Sequence, residues 1–183
     1  MQETQSSKEV RGVLQEFQRG YDERDLAELE QFLALFVSGS AGELIGIGAT
    51  ERGGYEWFEG IDKIREIIKS DWEYWGDVKI DVAGAKITVN GDTAWLTATG
   101  TLEQTDTFDE ALPFYLQQMA DMLAADDVDP DMKLLEATHF GMRRLRERLK
   151  GKGHKWPFVI SAVLQKEAGQ WRFHTIHWSM PVD

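Results

Sequence analysis

Hydrophobic residues recur at helical spacing in three segments near the start of the chain. The first follows Ser6-x-x-Glu9, which resembles a capping box, the second begins in a similar way at Asp25-x-x-Glu28, and Gly60 precedes the third. Their apolar stripes are Val10, Val13, Leu14, Phe17 and Tyr21; Leu26, Leu29, Phe32, Leu33 and Phe36; and Ile61, Ile64, Ile68, Trp72 and Trp75. We predict three helices, with a short strand at Glu43–Ala49 between the second and the third.

One carboxylate interrupts the third stripe. At about 100° per residue, Asp71 falls on the same face as Ile64 and Trp75. A buried carboxylate is costly unless it is paired. Asp71 therefore either accepts hydrogen bonds from backbone donors or a buried arginine, or it serves a cavity, and the sequence leaves both interpretations open.

Alternating patterns predict two β-hairpins. Val78–Val89 and Thr93–Gln104 are joined by Asn90-Gly91-Asp92, which is a tight-turn signal, and Trp156–Pro181 folds back around Glu167–Gln170. On a regular last strand, Arg172, His174, Ile176 and Trp178 share one face, and Trp171, Phe173, Thr175 and His177 share the other. Because each face carries an aromatic residue and a histidine, we expect both faces to be covered.

Between the hairpins, residues 107–150 return to helical spacing. Pro113 suits one helix start, Asp129-Pro130 suits another, and Gly151 and Gly153 end the second helix. Two helices between strands indicate an insertion, which serves either as a lid or as an oligomer contact.

Composition and charge narrow the range of possible functions. The 183 residues fit one domain, and a formal net charge of −12 argues against binding nucleic acid or an anionic membrane. The chain has no cysteine, no apolar run long enough to span a membrane and no secretory signal, so we expect a cytoplasmic protein. With seven tryptophans, either some indole rings line a site or, as is more common, they pack in the core.

The element order and four motifs together resemble the nuclear transport factor 2-like superfamily, in particular its SnoaL-like branch. The motifs are GYDERDLAELEQFLALF, EWFEG, NGDTAWL and GQWRFHTIHWS. The resemblance implies a single α+β domain over residues 1–183, interrupted by the helical insertion at about 107–150. In such a domain a strongly curved, mostly antiparallel sheet wraps the N-terminal helices as a cone and encloses a pocket. The ketosteroid isomerase-like reaction is not expected, because the first strand after Glu43 lacks a carboxylate and Phe17 stands where that group has a tyrosine.

The resemblance also implies a site. His174 and Asp71 are the candidate catalytic pair, since an imidazole beside a carboxylate in an apolar cavity can act as a general base. The alternative for His174 is a histidine packed in the core and bonded to a backbone carbonyl. The candidate ligand-binding residues are Trp57, Trp72, Trp75, Trp95, Thr97, Thr99, Ala162, Arg172 and Trp178. No nucleotide loop, nucleophile elbow or paired metal motif is present in the sequence, so we expect neither a cofactor nor a metal.

Three functions remain open from the sequence. The first is a protein that binds a small, mostly apolar or aromatic molecule in an internal tryptophan-lined cavity. The second is a cofactor-independent isomerase, cyclase or dehydratase that uses His174 and Asp71. The third is an assembly module with a vestigial pocket, in which Trp171, Phe173 and His177 form the contact. We also expect a homodimer through the convex face of the sheet.

Overall fold

The computed structural model describes residues 3–49, 51–126 and 128–180, without the side chains of Phe108, Glu147 and Arg148. Pro181, the predicted end of the last hairpin, lies outside these residues. The chain forms two compact units, one comprising the residues up to Leu102 together with those from Trp156 onward, and the other Glu103–Lys155. Within the described residues, no helix is long and apolar enough to cross a membrane.

The first unit has the predicted α+β class. Its helical segments are α1 (Gln5–Glu23), a 3-10 turn (Leu26–Glu28), α2 (Leu29–Leu33) and α3 (Ile61–Tyr74). The strands are β1 (Glu43–Ile45), β2 (Trp57–Glu59), β3 (Asp77–Ile80), β4 (Lys86–Asn90), β5 (Thr93–Glu103), β6 (Lys155–Glu167) and β7 (Gln170–Ser179). Among the described residues these strands make one mixed sheet in the order β2-β1-β7-β6-β5-β3, and β4 also pairs with β5. Strand β1 runs parallel to β7, whereas β1/β2, β4/β5 and β6/β7 are antiparallel.

Two predicted boundaries were wrong for local reasons. The first helix is capped by Thr4 rather than Ser6, because the Thr4 side chain accepts a hydrogen bond from a backbone N–H of the first turn. The predicted strand Val78–Val89 is broken after β3, where the Asp81 carboxylate accepts from the Gly84 N–H at 2.9 Å and closes a turn.

A β-bulge in β7 changes which side chains face the core. Val163 of β6 pairs with Thr175, but the next residue, Leu164, pairs with Phe173, so His174 is an extra residue on β7. The alternation of inward and outward side chains along β7 therefore restarts at the bulge. Ile176 and Trp178 point into the core as predicted, whereas before the bulge the inward side chains are Trp171 and Phe173 rather than Arg172 and His174.

The core of the first unit lies between the helices and one face of the sheet. The side chains with no more than 1% exposure include Phe17, Tyr21, Ile64 and Ile68 from the helices and Leu96, Ile160, Leu164, Phe173 and Ile176 from the strands. The helical members of this core belong to the apolar stripes that the sequence marks, which is why α1 and α3 form where the pattern predicts them.

The second unit contains two helices, α4 (Phe108–Ala124) and α5 (Pro130–Lys150). Helix α4 starts earlier than predicted, because Thr107 and Glu110 form a capping box and leave Pro113 inside the helix. Helix α5 begins at Pro130 as predicted, with the Asp129 carboxylate accepting from the Asp131 N–H at 2.9 Å.

Candidate functional site

Asp71 has an aromatic side chain among its hydrogen-bond partners. The Tyr21 hydroxyl of α1 donates to a carboxylate oxygen of Asp71 on α3 at 3.0 Å. Burial, and then the negative charge of Asp71, raise the pKa of Tyr21 well above its ordinary value. Tyr21 therefore stays protonated and keeps the carboxylate anchored at the edge of the core.

Aromatic rings are in contact where the resemblance implies a cavity. The ring of Trp178 lies 4.9 Å from Phe158, 5.3 Å from Trp75 and 6.1 Å from both Phe17 and Tyr21, measured between centroids. Trp178 is only 2% exposed. The predicted site residues Trp75 and Trp178 thus meet around Tyr21, as parts of a packed cluster.

His174 belongs to a different set of polar groups. Its Nδ1 lies 2.9 Å from Oγ1 of the adjacent Thr175, and that hydroxyl donates to Glu43 of β1 at 3.3 Å. A hydroxyl has one proton and a carboxylate can only accept, so Nδ1 of neutral His174 is the donor and Nε2 is left as an acceptor. In the described structure His174 and Asp71 have different hydrogen-bond partners.

The predicted orientation of β5 is reversed. Trp95, Thr97 and Thr99 are exposed, and Leu96 and Ala98 between them are buried. Ala94, Leu96 and Ala98 thus face the core, while the indole of Trp95 lies outside.

The remaining predicted ligand-binding residues are dispersed. Arg172 is half-buried, with its Nε 3.3 Å from a carboxylate oxygen of Glu167. Ala162 is 4% exposed and packs in the core, and Trp57 lies on β2 in partial exposure. The side chain of Trp72, at 6% exposure, contacts Phe32 with a centroid distance of 5.0 Å.

Trp72 lines a groove of about 230 Å³ that is formed mainly by α1 and α2. We call it the Trp72 groove. Its apolar lining is Gly20, Phe32, Leu35 and Trp72, and Phe32 and Trp72 are almost fully buried. The indole Nε1 of Trp72 is buried and has no hydrogen-bond partner among the described residues. An unpaired buried N–H costs about 1–3 kcal/mol, so a hydrogen bond from this N–H to an acceptor would be stabilising.

The charged lining of the Trp72 groove is dominated by carboxylates. Glu16, Glu23, Asp25 and Glu28 line it, with Arg19 as the one cation among the described lining residues. Arg19 lies 2.9 Å from Glu16, 2.7 Å from Glu23 and 3.5 Å from Glu28, and hydrogen bonding to Glu16 raises its pKa. The guanidinium is thus engaged by carboxylates, and the groove keeps an excess of negative charge.

Sequence reasoning missed most of these residues. Glu16, Arg19 and Glu23 follow the i, i+3 and i+4 spacing of paired charges on one helix face, and Gly20 between them marks a close approach. This part of the groove could therefore have been found from the sequence. Glu43 carries no comparable sequence signal, because its partner Thr175 is more than a hundred residues away.

Solved structures share this fold. One is a nuclear transport factor 2-like protein of unknown function from Pseudomonas putida KT2440, with 12% identity, a TM-score of 0.59 and coverage of 100% of this chain and 92% of that one. A nuclear transport factor 2-like superfamily protein from Salmonella enterica has 15% identity, a TM-score of 0.59 and coverage of 96% and 91%. A ketosteroid isomerase-like protein from Erwinia carotovora atroseptica has 13% identity, a TM-score of 0.57 and coverage of 99% and 100%. At such identities the likeness establishes the fold alone.

The fold is therefore that of the nuclear transport factor 2-like superfamily. The sequence profile of the SnoaL-like domain matches residues 10–116, and the chain belongs to that family. No curated protein matches the sequence.

Proposed function

We propose that the protein binds a small aromatic or apolar molecule that carries a positive charge, and that the Trp72 groove is the binding site. The observation behind this proposal is the combination of two buried aromatic rings, Phe32 and Trp72, with an excess of carboxylates in one open groove. Apolar rings supply contact area and a carboxylate supplies orientation, which is the usual division of labour in a ligand site. The fold of the family does not determine which ligand is bound, so the ligand class is argued from the groove itself.

The size and charge of the groove define the ligand class. Its volume of about 230 Å³ lies below the roughly 300–1,000 Å³ of sites for drug-sized ligands. A single or fused aromatic ring with a short amine is therefore the expected ligand. The ammonium would lie near Glu16 or Glu23, and the ring would lie against Trp72.

Isothermal titration calorimetry with three matched probes tests this function. Tryptamine carries the ring and the cation, indole carries the ring alone, and indole-3-acetate carries the ring with a negative charge. Saturable binding is expected for tryptamine, with weaker binding of indole and none of indole-3-acetate. Trp72→Leu should lower the tryptamine affinity by at least tenfold, whereas Trp95→Leu on the outer sheet face should leave it unchanged. Equal binding of all three probes, or no binding of any, would contradict the proposal.

A second candidate function is acid–base catalysis by His174. It is favoured by the hydrogen bonds from His174 through Thr175 to Glu43, which leave Nε2 of the neutral ring as an acceptor. Isomerisation, cyclisation or dehydration without a cofactor would need such a base. Glu43 replaces Asp71 as the carboxylate that orients the histidine in this proposal.

A general-base probe tests the second candidate. 5-Nitrobenzisoxazole opens when a base removes its C3 proton: the N–O bond breaks and a cyanophenolate forms. A saturable rate that disappears in His174→Gln and persists in His177→Gln would support catalysis. Equal rates for both variants and the wild type would contradict it.

For the outer face of the sheet, the proposed partner is a second copy of the chain. This contact is supported by three exposed apolar side chains on that face, Trp95, Val159 and Val163, whose exposures are 48%, 42% and 37%. Trp171 and Phe173, predicted to make this contact, are buried within the chain and do not contribute. Sedimentation of Trp95→Glu should show a lower association state than the wild type, and an unchanged state would count against this contact.

A further inference from the structure

Helices α4 and α5 carry most of the exposed apolar side chains of the protein. Of the twelve large apolar residues exposed in the described part of the chain, seven lie on these two helices. Five belong to α5, with exposures of 62% for Leu134, 49% for Leu135, 58% for Met142, 55% for Leu145 and 84% for Leu149. Such a concentration marks an interaction surface rather than the scattered apolar residues of an ordinary exterior.

The exposed residues of α5 form a seam. Leu135, Met142 and Leu149 recur every seven residues, and Thr138 and Leu145 lie between them at the three- and four-residue offsets. This period is that of helices that pack along their length against another helix. We call these five residues the α5 seam.

The α5 seam is separate from the face that α5 turns to α4. Ala137 and Phe140 are 3% and 7% exposed, and the Phe140 ring lies 6.0 Å from Tyr115 of α4. A Cβ added to Gly141 would lie 3.1 Å from the Met119 methyl carbon, so the two helices are close there. One flank of α5 thus holds the helix pair together and another remains exposed.

Charge along α5 differs between its two ends. The start and the preceding residues contain Asp126, Asp127, Asp129 and Asp131 against Lys133, and the end contains Arg143, Arg144, Arg146, Arg148 and Lys150 against Glu147. Two copies of α5 side by side in parallel would bring like charges together. In the antiparallel arrangement the acidic start of one copy lies beside the basic end of the other, and the helix dipoles also oppose each other favourably.

We propose that the α5 seam packs antiparallel against the α5 seam of a second copy of this chain, about a two-fold axis. In this register Leu135 of one copy lies opposite Leu145 of the other, and Thr138 lies opposite Met142. The contact does not depend on the outer sheet face.

Disulfide cross-linking tests the arrangement directly, because the chain has no native cysteine. Leu135→Cys and Leu145→Cys proteins, tagged differently and mixed under mild oxidation, should cross-link to each other. Neither protein should cross-link efficiently to itself, since antiparallel packing separates identical positions by about 15 Å along the axis. Self-linking of Leu135→Cys as strong as the mixed product, or no mixed product, would overturn the proposal.

Sedimentation with a matched pair gives an independent measurement. Leu145→Glu should reduce the association constant at least tenfold, whereas Leu116→Glu, on α4 and 58% exposed in the wild type, should leave it near the wild-type value. Helical content by circular dichroism should be unchanged in both variants, as expected for exposed positions. Equal effects of the two substitutions, or no effect of Leu145→Glu, would overturn the seam as the contact.

Discussion

The Tyr21 hydroxyl donates to Asp71 across 3.0 Å and joins α1 to α3 at the edge of the apolar core. Burial and the neighbouring carboxylate raise the pKa of Tyr21 in the folded protein above its unfolded value of about 10. A raised pKa means that the folded chain keeps a proton that the unfolded chain loses. The associated stability is complete below about pH 10 and is lost as the pH rises further.

Tyr21→Phe should remove this alkaline sensitivity. The wild-type free energy of unfolding should fall by up to about 1.4 kcal/mol more per pH unit than that of the variant above about pH 10. At neutral pH the variant should be less stable by about 1 kcal/mol, because it lacks the hydrogen bond. Urea unfolding between pH 8 and about pH 11 measures both effects. Tyr74→Phe, at a tyrosine that is 53% exposed, is the control for removing a phenol hydroxyl elsewhere on the chain. If the free energy of unfolding of Tyr21→Phe fell with pH as steeply as that of the wild type, Tyr21 would not be the source of the alkaline loss of stability.

Two glycines of α1 should respond in opposite ways to alanine. A Cβ on Gly20 would lie 2.2 Å from Cδ2 of Phe32, whereas nothing lies within 4 Å of a Cβ on Gly12. Gly20→Ala should therefore cost about 1–3 kcal/mol through overpacking. Gly12→Ala should stabilise the helix by up to about 1 kcal/mol. Thermal unfolding of both variants provides the comparison, and equal shifts would show that Phe32 moves aside without cost.

The bulge in β7 makes one deletion far milder than another. Removing His174 leaves Phe173, Thr175 and Ile176 in regular alternation, so the core side chains keep their direction. We expect this variant to fold with a loss of about 1–2 kcal/mol from its hydrogen bonds. Removing His177 instead turns Trp178 outward and should cost about 3–5 kcal/mol. Circular dichroism and thermal unfolding distinguish them, and comparable losses would argue against the register described.

The hydrogen bonds of His174 predict which of its ring nitrogens carries the proton. With Thr175 donating to Glu43, the neutral ring should carry its proton on Nδ1. Nitrogen-15 chemical shifts of the ring should report this state, and Thr175→Val should abolish the preference. The exposed His177 serves as the reference within the same spectrum. A proton on Nε2 in the neutral ring would contradict the hydrogen-bond chain.

Local signals predicted most of the secondary structure. The tight turn predicted at Asn90-Gly91-Asp92 forms with Gly91 and Asp92 at its centre, because Asn90 pairs with Thr93, and Asp129-Pro130 starts α5 as predicted. The class of fold followed from the order of these elements.

The site was harder to predict because it depends on which face of each strand is buried. Alternation on β5 separates Trp95 from Ala94 but does not say which of the two sides faces the core. On β7 a single extra residue, His174, reverses the faces, and no local pattern marks it. The sequence flagged Asp71 as an unusual carboxylate, but its pairing with Tyr21 arises only when two helices pack.

The Trp72 indole N–H signal during a tryptamine titration tests the proposed function most directly. In a nitrogen-15 spectrum of the full chain, that signal should shift progressively and saturate, while the indole signal of the exposed Trp95 stays in place. Indole-3-acetate, with its opposite charge, should leave the Trp72 signal unmoved. A Trp72 signal that ignores tryptamine, or that responds equally to both probes, would contradict binding of an aromatic cation in this groove.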